Sequence, residues 1–183
     1  MRRIILGQVL LILCCIFYLI WWYRGYRPGI TVSRMGGVNG VLFLATAVLG
    51  MAGLLCSITK IPAQTEPTIN PNLIVIGGIA SYFVLLLITR VVFQRVVTTE
   101  LFLIVGWAML EMTVINRLHA AGYVTDQGFM AMCMVIAAAF IISMVLYVAY
   151  YRMDEMKAFY AAMVPLMTEA VSMAVLTGIV LTG

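Results

Sequence analysis

Charge is what this chain has least of. Only 10% of its 183 residues are charged, while 64% are hydrophobic. A soluble globular domain carries about 25% charged and about 45–50% apolar residues. Too few ionic groups remain to cover a water-facing surface, and the mean hydropathy of +1.11 points to lipid as the main solvent. Histidine is scarcer still. His119 stands alone, which excludes the His-rich metal sites of the membrane desaturase type. No HExxH, no GxSxG and no paired-aspartate motif of the lipid transferases occurs, so the usual signatures of membrane hydrolysis and lipid transfer are missing. There is no Gly-rich phosphate loop and no aromatic-plus-basic patch. The net charge of +4 therefore does not argue for nucleic acid. The four cysteines (Cys14, Cys15, Cys56 and Cys133) form no CxxC and lie inside apolar runs, where thiols act as small hydrophobes.

What the chain has instead is length in its apolar runs. About 20 residues of helix cross the hydrocarbon core of a bilayer. Six runs qualify, at 4–22, 38–58, 73–93, 101–119, 129–150 and 158–181. The expected fold is all-α, a polytopic membrane bundle of six transmembrane helices forming a single domain over 1–183. The first run begins with Arg2 and Arg3 but lacks a small-x-small cleavage site. It is followed by Trp21-Trp22-Tyr23-Arg24-Gly25-Tyr26-Arg27-Pro28, an interfacial anchor, so it reads as a retained helix rather than a signal peptide.

The connectors carry turn chemistry or charge. Residues 59–72 hold Lys60, Pro62, Glu66, Pro67 and Pro71, and 120–128 hold Gly122, Asp126 and Gly128, which predict a tight turn. No Gly or Pro breaks 90–100 or 150–157. Thr98-Thr99 offers a cap for the fourth helix, and the fifth and sixth helices are expected to protrude before turning. Basic residues favour one side. Arg24, Arg27, Arg34, Arg90, Arg95, Arg152 and Lys157 flank the odd connectors, against Arg2, Arg3, Lys60 and Arg117 opposite. That bias places the odd connectors in the cytoplasm and both termini outside. On the same side Trp21, Trp22 and Tyr23 should lie level with Tyr147, Tyr150 and Tyr151 in one aromatic belt.

Ionisable residues at bilayer depth are the sharpest pointers to function, because each is costly unless paired or wet. Glu111 falls ten residues after Leu101, and Glu169 eleven after Ala158. Counted from the same membrane face, both carboxylates lie about 15–16 Å deep. They are expected to face a shared interior, where two close carboxylates do not both ionise cheaply and a cation entering between them would displace a proton. Pro165 precedes Glu169 by four residues and frees a backbone carbonyl, and Thr168 and Ser172 flank it. These are hard oxygen groups, suited to a proton, a small cation or a polar solute. His119 lies eight residues beyond Glu111, with Asn116 and Arg117, towards the helix end and an interfacial role.

Met130, Cys133 and Met134 share a helix face as soft sulfur groups that suit Cu(I), but with no second cluster they read as apolar filler. No metal and no cofactor is expected. Ala170, Ala174, Gly178 and Thr182 recur every four residues, a stripe that lets another backbone come close, and Gly36 and Gly40 repeat the spacing at the second helix. The expected partners are membrane lipids and a second copy or a partner membrane subunit. Three readings follow. The first is a small transporter, or its solute-binding or channel subunit, in the plasma or inner membrane. The second is a non-catalytic membrane subunit that docks partner chains. The third is an intramembrane enzyme using Glu111 and His119.

Overall fold

A computed structural model of the chain describes residues 2–29, 36–59, 62–92, 99–150 and 152–182. Arg34, Lys60 and Arg95 of the orientation argument, Thr98, the side chain of Thr99, and Tyr151 of the aromatic belt lie outside the described residues. Among the described residues the structure is all-helical: α1 (Arg2–Tyr26), α2 (Val38–Ser57), α3 (Pro71–Val92), α4 (Thr99–Ala120), α5 (Asp126–Tyr150), α6 (Glu155–Ala161) and α7 (Val164–Thr182). Among these residues six spans are long and apolar enough to cross a membrane, the last running through α6 and α7 together. The chain is a multi-pass helical bundle.

Local sequence sets the helix ends. Asn70 opens α3: its side-chain oxygen accepts from the Asn72 amide at 3.0 Å and Pro71 fills the first helical position, where no N–H is needed. Gly122 closes α4. Its φ of 73° is open to glycine at little cost, and the amides of Gly122 and Tyr123 return to the carbonyls of His119 and Leu118 at 2.9 and 3.0 Å.

The sixth span differs from the unbroken run 158–181. It starts at Glu155, stops at Ala161 and resumes at Val164. Pro165 is the cause, because it lacks the N–H that the carbonyl of Ala161 would accept. The chain turns tightly there, with the Met163 amide on the Tyr160 carbonyl at 3.0 Å.

Helices α1, α7, α5 and α4 pack in sequence around the core. Ile4 and Cys15 of α1 meet Trp107, Ile115, Met132, Ile136, Met173 and Leu176 from the other three. Outside this four-helix unit, α2 packs on α1 and α3 on α4. Small residues set the first contact. A Cβ on Gly7 would come within 2.7 Å of the Ser57 backbone nitrogen, and one on Gly53 within 2.8 Å of Leu11. Close backbone approach of this kind is how helices associate where lipid cancels the hydrophobic drive.

The stripe on α7 behaves otherwise. Ala174 is exposed, and a Cβ on Gly178 would meet nothing within 4 Å. Ala170 of the stripe packs against the core, and within this chain close backbone packing is found at Gly7 and Gly53.

Candidate functional site

Glu111 is fully buried twelve residues into α4. Gln8 of α1 donates from Nε2 to Glu111 Oε1 at 3.0 Å. Gln8 Oε1 and Glu111 Oε2 are both buried without a hydrogen-bond partner. Between them and the surrounding aliphatic side chains lies a void of only about 10 Å³. That is barely the room of one water.

Glu169, 5% exposed, sits elsewhere. It lies five residues into α7 and lines a cavity of about 80 Å³ walled by α1, α4, α5 and the α6–α7 break. Tyr18 and Trp22 stand on one side, Tyr147 and Tyr150 on another, with Ala161 and Pro165 closing the third. Glu100, in the first turn of α4 and exposed, lines the same cavity. Trp22, Tyr147 and Tyr150, three residues of the expected belt, line this one cavity. Trp21 is buried and packs on Phe43 of α2 with ring centroids 5.1 Å apart.

The two carboxylates are both interior. They do not open on one shared space. A depth equal to that of Glu111 requires a sixth helix continuous from 158. The break at 162–163 interrupts it, so Glu169 keeps to the aromatic end and Glu111 to the level of Gln8.

The hydroxyls beside Glu169 are spent on their own helix. Thr168 donates to the Val164 carbonyl at 2.9 Å and Ser172 to the Glu169 carbonyl at 2.8 Å. Neither lines the cavity, although their oxygens keep accepting capacity.

His119 belongs to the opposite end. Its Nδ1 meets Thr68 Oγ1 at 2.7 Å, its Nε2 meets Asp126 Oδ1 at 2.8 Å, and the Phe129 ring lies 4.7 Å from its own. Hydroxyl, imidazole and carboxylate in a row is the order that activates a nucleophile. Here the Asp126 side chain is 98% exposed, and none of the three lines a cavity described above. They act as a clasp between the segment before α3 and the α4–α5 turn.

Asn116 completes that clasp, and its role was not legible beforehand. Its Oδ1 accepts from the Ile69 amide at 3.1 Å, and its Nδ2 donates to the Ile69 carbonyl at 2.6 Å. The Ala120 carbonyl takes the amides of Gln64 and Thr65, and Arg117 donates to the Ile58 carbonyl at the end of α2. Gln8 was missed as well. A lone glutamine in an apolar run gives a signal only once its depth is matched with that of Glu111.

Soft ligands do not converge. Met130 and Met134 are exposed, and among the described residues no group of three or more His, Cys, Asp or Glu could hold a metal ion. No protein-family model, curated protein or solved structure matches the chain.

Proposed function

We propose that this chain is a small transporter, or the solute-binding or channel-forming subunit of one, in a plasma or inner membrane, and that it works at the Glu169 cavity. One observation carries the reading: a carboxylate buried within a membrane-spanning segment lines a cavity that a second carboxylate, Glu100, shares at the helix end. A buried acid is costly to keep away from water and partners, so a chain that keeps one beside open space has a use for it. The break before Pro165 adds a carbonyl without its helical donor to the same wall, as in the discontinuous helices that line solute sites.

Glu111 has a different part in this reading. Tied to Gln8 beside a void of about 10 Å³, it holds α4 against α1. Uptake into vesicles containing the purified protein tests the assignment. Glu169→Gln should lower solute uptake at least about tenfold, equivalent to ~1.4 kcal/mol of lost interaction. Glu111→Gln should leave it near the unmodified level. Equal uptake by the Glu169→Gln protein would end the proposal.

A second reading, a non-catalytic subunit that docks partner chains, draws on the open faces of α2, α3 and the Ala174–Gly178 edge. Under it, bulky substitutions on those faces would abolish co-purification of a partner subunit, and Glu169→Gln would do nothing.

A further inference from the structure

We infer that the Glu169 cavity takes a small organic ammonium, one cationic nitrogen carrying a few carbons. The inference rests on the transport reading, whose site it shares, and asks what chemistry that site recognises.

The sign of the ligand comes first. Both ionisable groups of the acid or base type that line the cavity are carboxylates, Glu169 within and Glu100 at the helix end. Among the described residues no Lys, Arg or His lines it. An anion would meet two like charges and, of opposite polarity, only the neutral Trp22 indole N–H, whereas a cation completes a pair with the buried Glu169.

Metal ions and organic cations then separate on ligand count. A bare hard cation that sheds its water needs about six oxygens or more. The oxygen groups of the residues on this wall are the carboxylates of Glu169 and, at the exposed helix end, Glu100, and the ring hydroxyls of Tyr18, Tyr147 and Tyr150. The neighbouring hydroxyls of Thr168 and Ser172 donate into their own helix and do not reach the cavity. Most of the remaining wall is hydrocarbon and aromatic ring, including Leu103, Leu166, Tyr18 and Tyr147. Such a wall is mostly hydrocarbon and ring where a metal ion needs a shell of oxygens. It suits an alkylammonium better: N–H groups donate to the Glu169 carboxylate, the alkyl part lies on the aliphatic side chains, and the rings favour the positive end.

Size narrows the class. The cavity, at about 80 Å³ against about 10 Å³ for the one-water void beside Glu111, has room for several waters. A methyl- to propylammonium fits that space. A nucleotide does not.

Tryptophan fluorescence of the full-length protein in detergent reports on the site, because Trp22 lines it while Trp21 and Trp107 do not. Propylammonium should bind at least about tenfold tighter than 1-propanol, which has the carbons without the charge, and than potassium or sodium at equal ionic strength. Trp22→Phe should remove the signal, and Glu169→Gln should erase the preference over 1-propanol. Should that variant not fold, Leu103→Phe, which crowds the cavity, leaves the carboxylate and adds no tryptophan, should weaken propylammonium more than methylammonium. Equal affinity for sodium or potassium, equal affinity for 1-propanol, or an ammonium response that survives Glu169→Gln would each overturn the inference. Vesicle uptake separates this failure from the other. Ammonium binding without uptake removes the transport reading and keeps the ligand, whereas Glu169-dependent sodium or potassium flux without ammonium binding does the reverse.

Discussion

Gln8 and Glu111 face each other across α1 and α4 with one hydrogen bond made, at 3.0 Å, and two acceptor oxygens left over. The pair closes fully only if one of those two oxygens carries a hydrogen. Glutamine at 111 supplies it, since its Nε2 donates to Gln8 Oε1 while its Oε1 still accepts from Gln8 Nε2.

Glu111→Gln should therefore melt at or above the temperature of the unmodified protein in detergent. Gln8→Leu and Glu111→Leu should each cost about 1–3 kcal/mol, because each leaves a buried polar group unpaired. The double leucine variant should recover much of that loss, since removing both partners is close to neutral. Strictly additive losses in the double variant would show that the two side chains do not depend on each other.

Packing between α1 and α2 gives a second test. Gly53→Leu should destabilise by about 1–3 kcal/mol through overpacking against Leu11 and the Gly7 carbonyl. Gly178→Ala meets open space and should be neutral, or slightly stabilising by helix propensity. Thermal melting of the two variants side by side reads the contrast. A large loss at Gly178 would show that another chain covers that edge.

The clasp at the other end is checked by proteolysis. Asn116→Ala removes both bonds to the Ile69 backbone and should raise the rate of cleavage within 62–70 severalfold, with a stability loss of about 1–3 kcal/mol. An unchanged cleavage rate would mean that the Ala120 and His119 contacts hold the segment unaided.

Orientation is tested by labelling. With Cys14, Cys15, Cys56 and Cys133 replaced, cysteine at Thr65 should react with an impermeant reagent from outside and cysteine at Asp154 only from the cytoplasm. External labelling of position 154 alone would reverse the assignment.

The six spans were legible because lipid imposes a length and an apolar composition that few other folds share. Asn70 with Pro71, and Gly122 after Ala120, mark helix ends through local chemistry that depends on no distant residue. The burial of Glu111 and Glu169 followed from the cost of an acid in lipid. Their division between two cavities did not, because it turns on how far Pro165 breaks the last span. Residue spacing tells that a proline removes an N–H, yet not whether the helix bends or restarts. The open part of the stripe on α7, Ala174 and Gly178, has a similar basis. Four-residue spacing marks a face on which a close neighbour fits, and only the assembled bundle tells whether one is there.

The order in which the core closes has a consequence for biogenesis. Helix α1 finds α2 immediately, but its other neighbours are α7 and, through Gln8, α4. During synthesis the first helical hairpin enters the membrane with Gln8 unpaired until the fourth helix follows, and with one flank bare until the last. The small-residue contact at Gly7 and Gly53 then serves as a holding bond, keeping an incomplete chain together while ribosome and insertion machinery deliver the rest. Slowing elongation beyond α5 prolongs that interval, and it is then that the half-built bundle is most open to quality-control proteases.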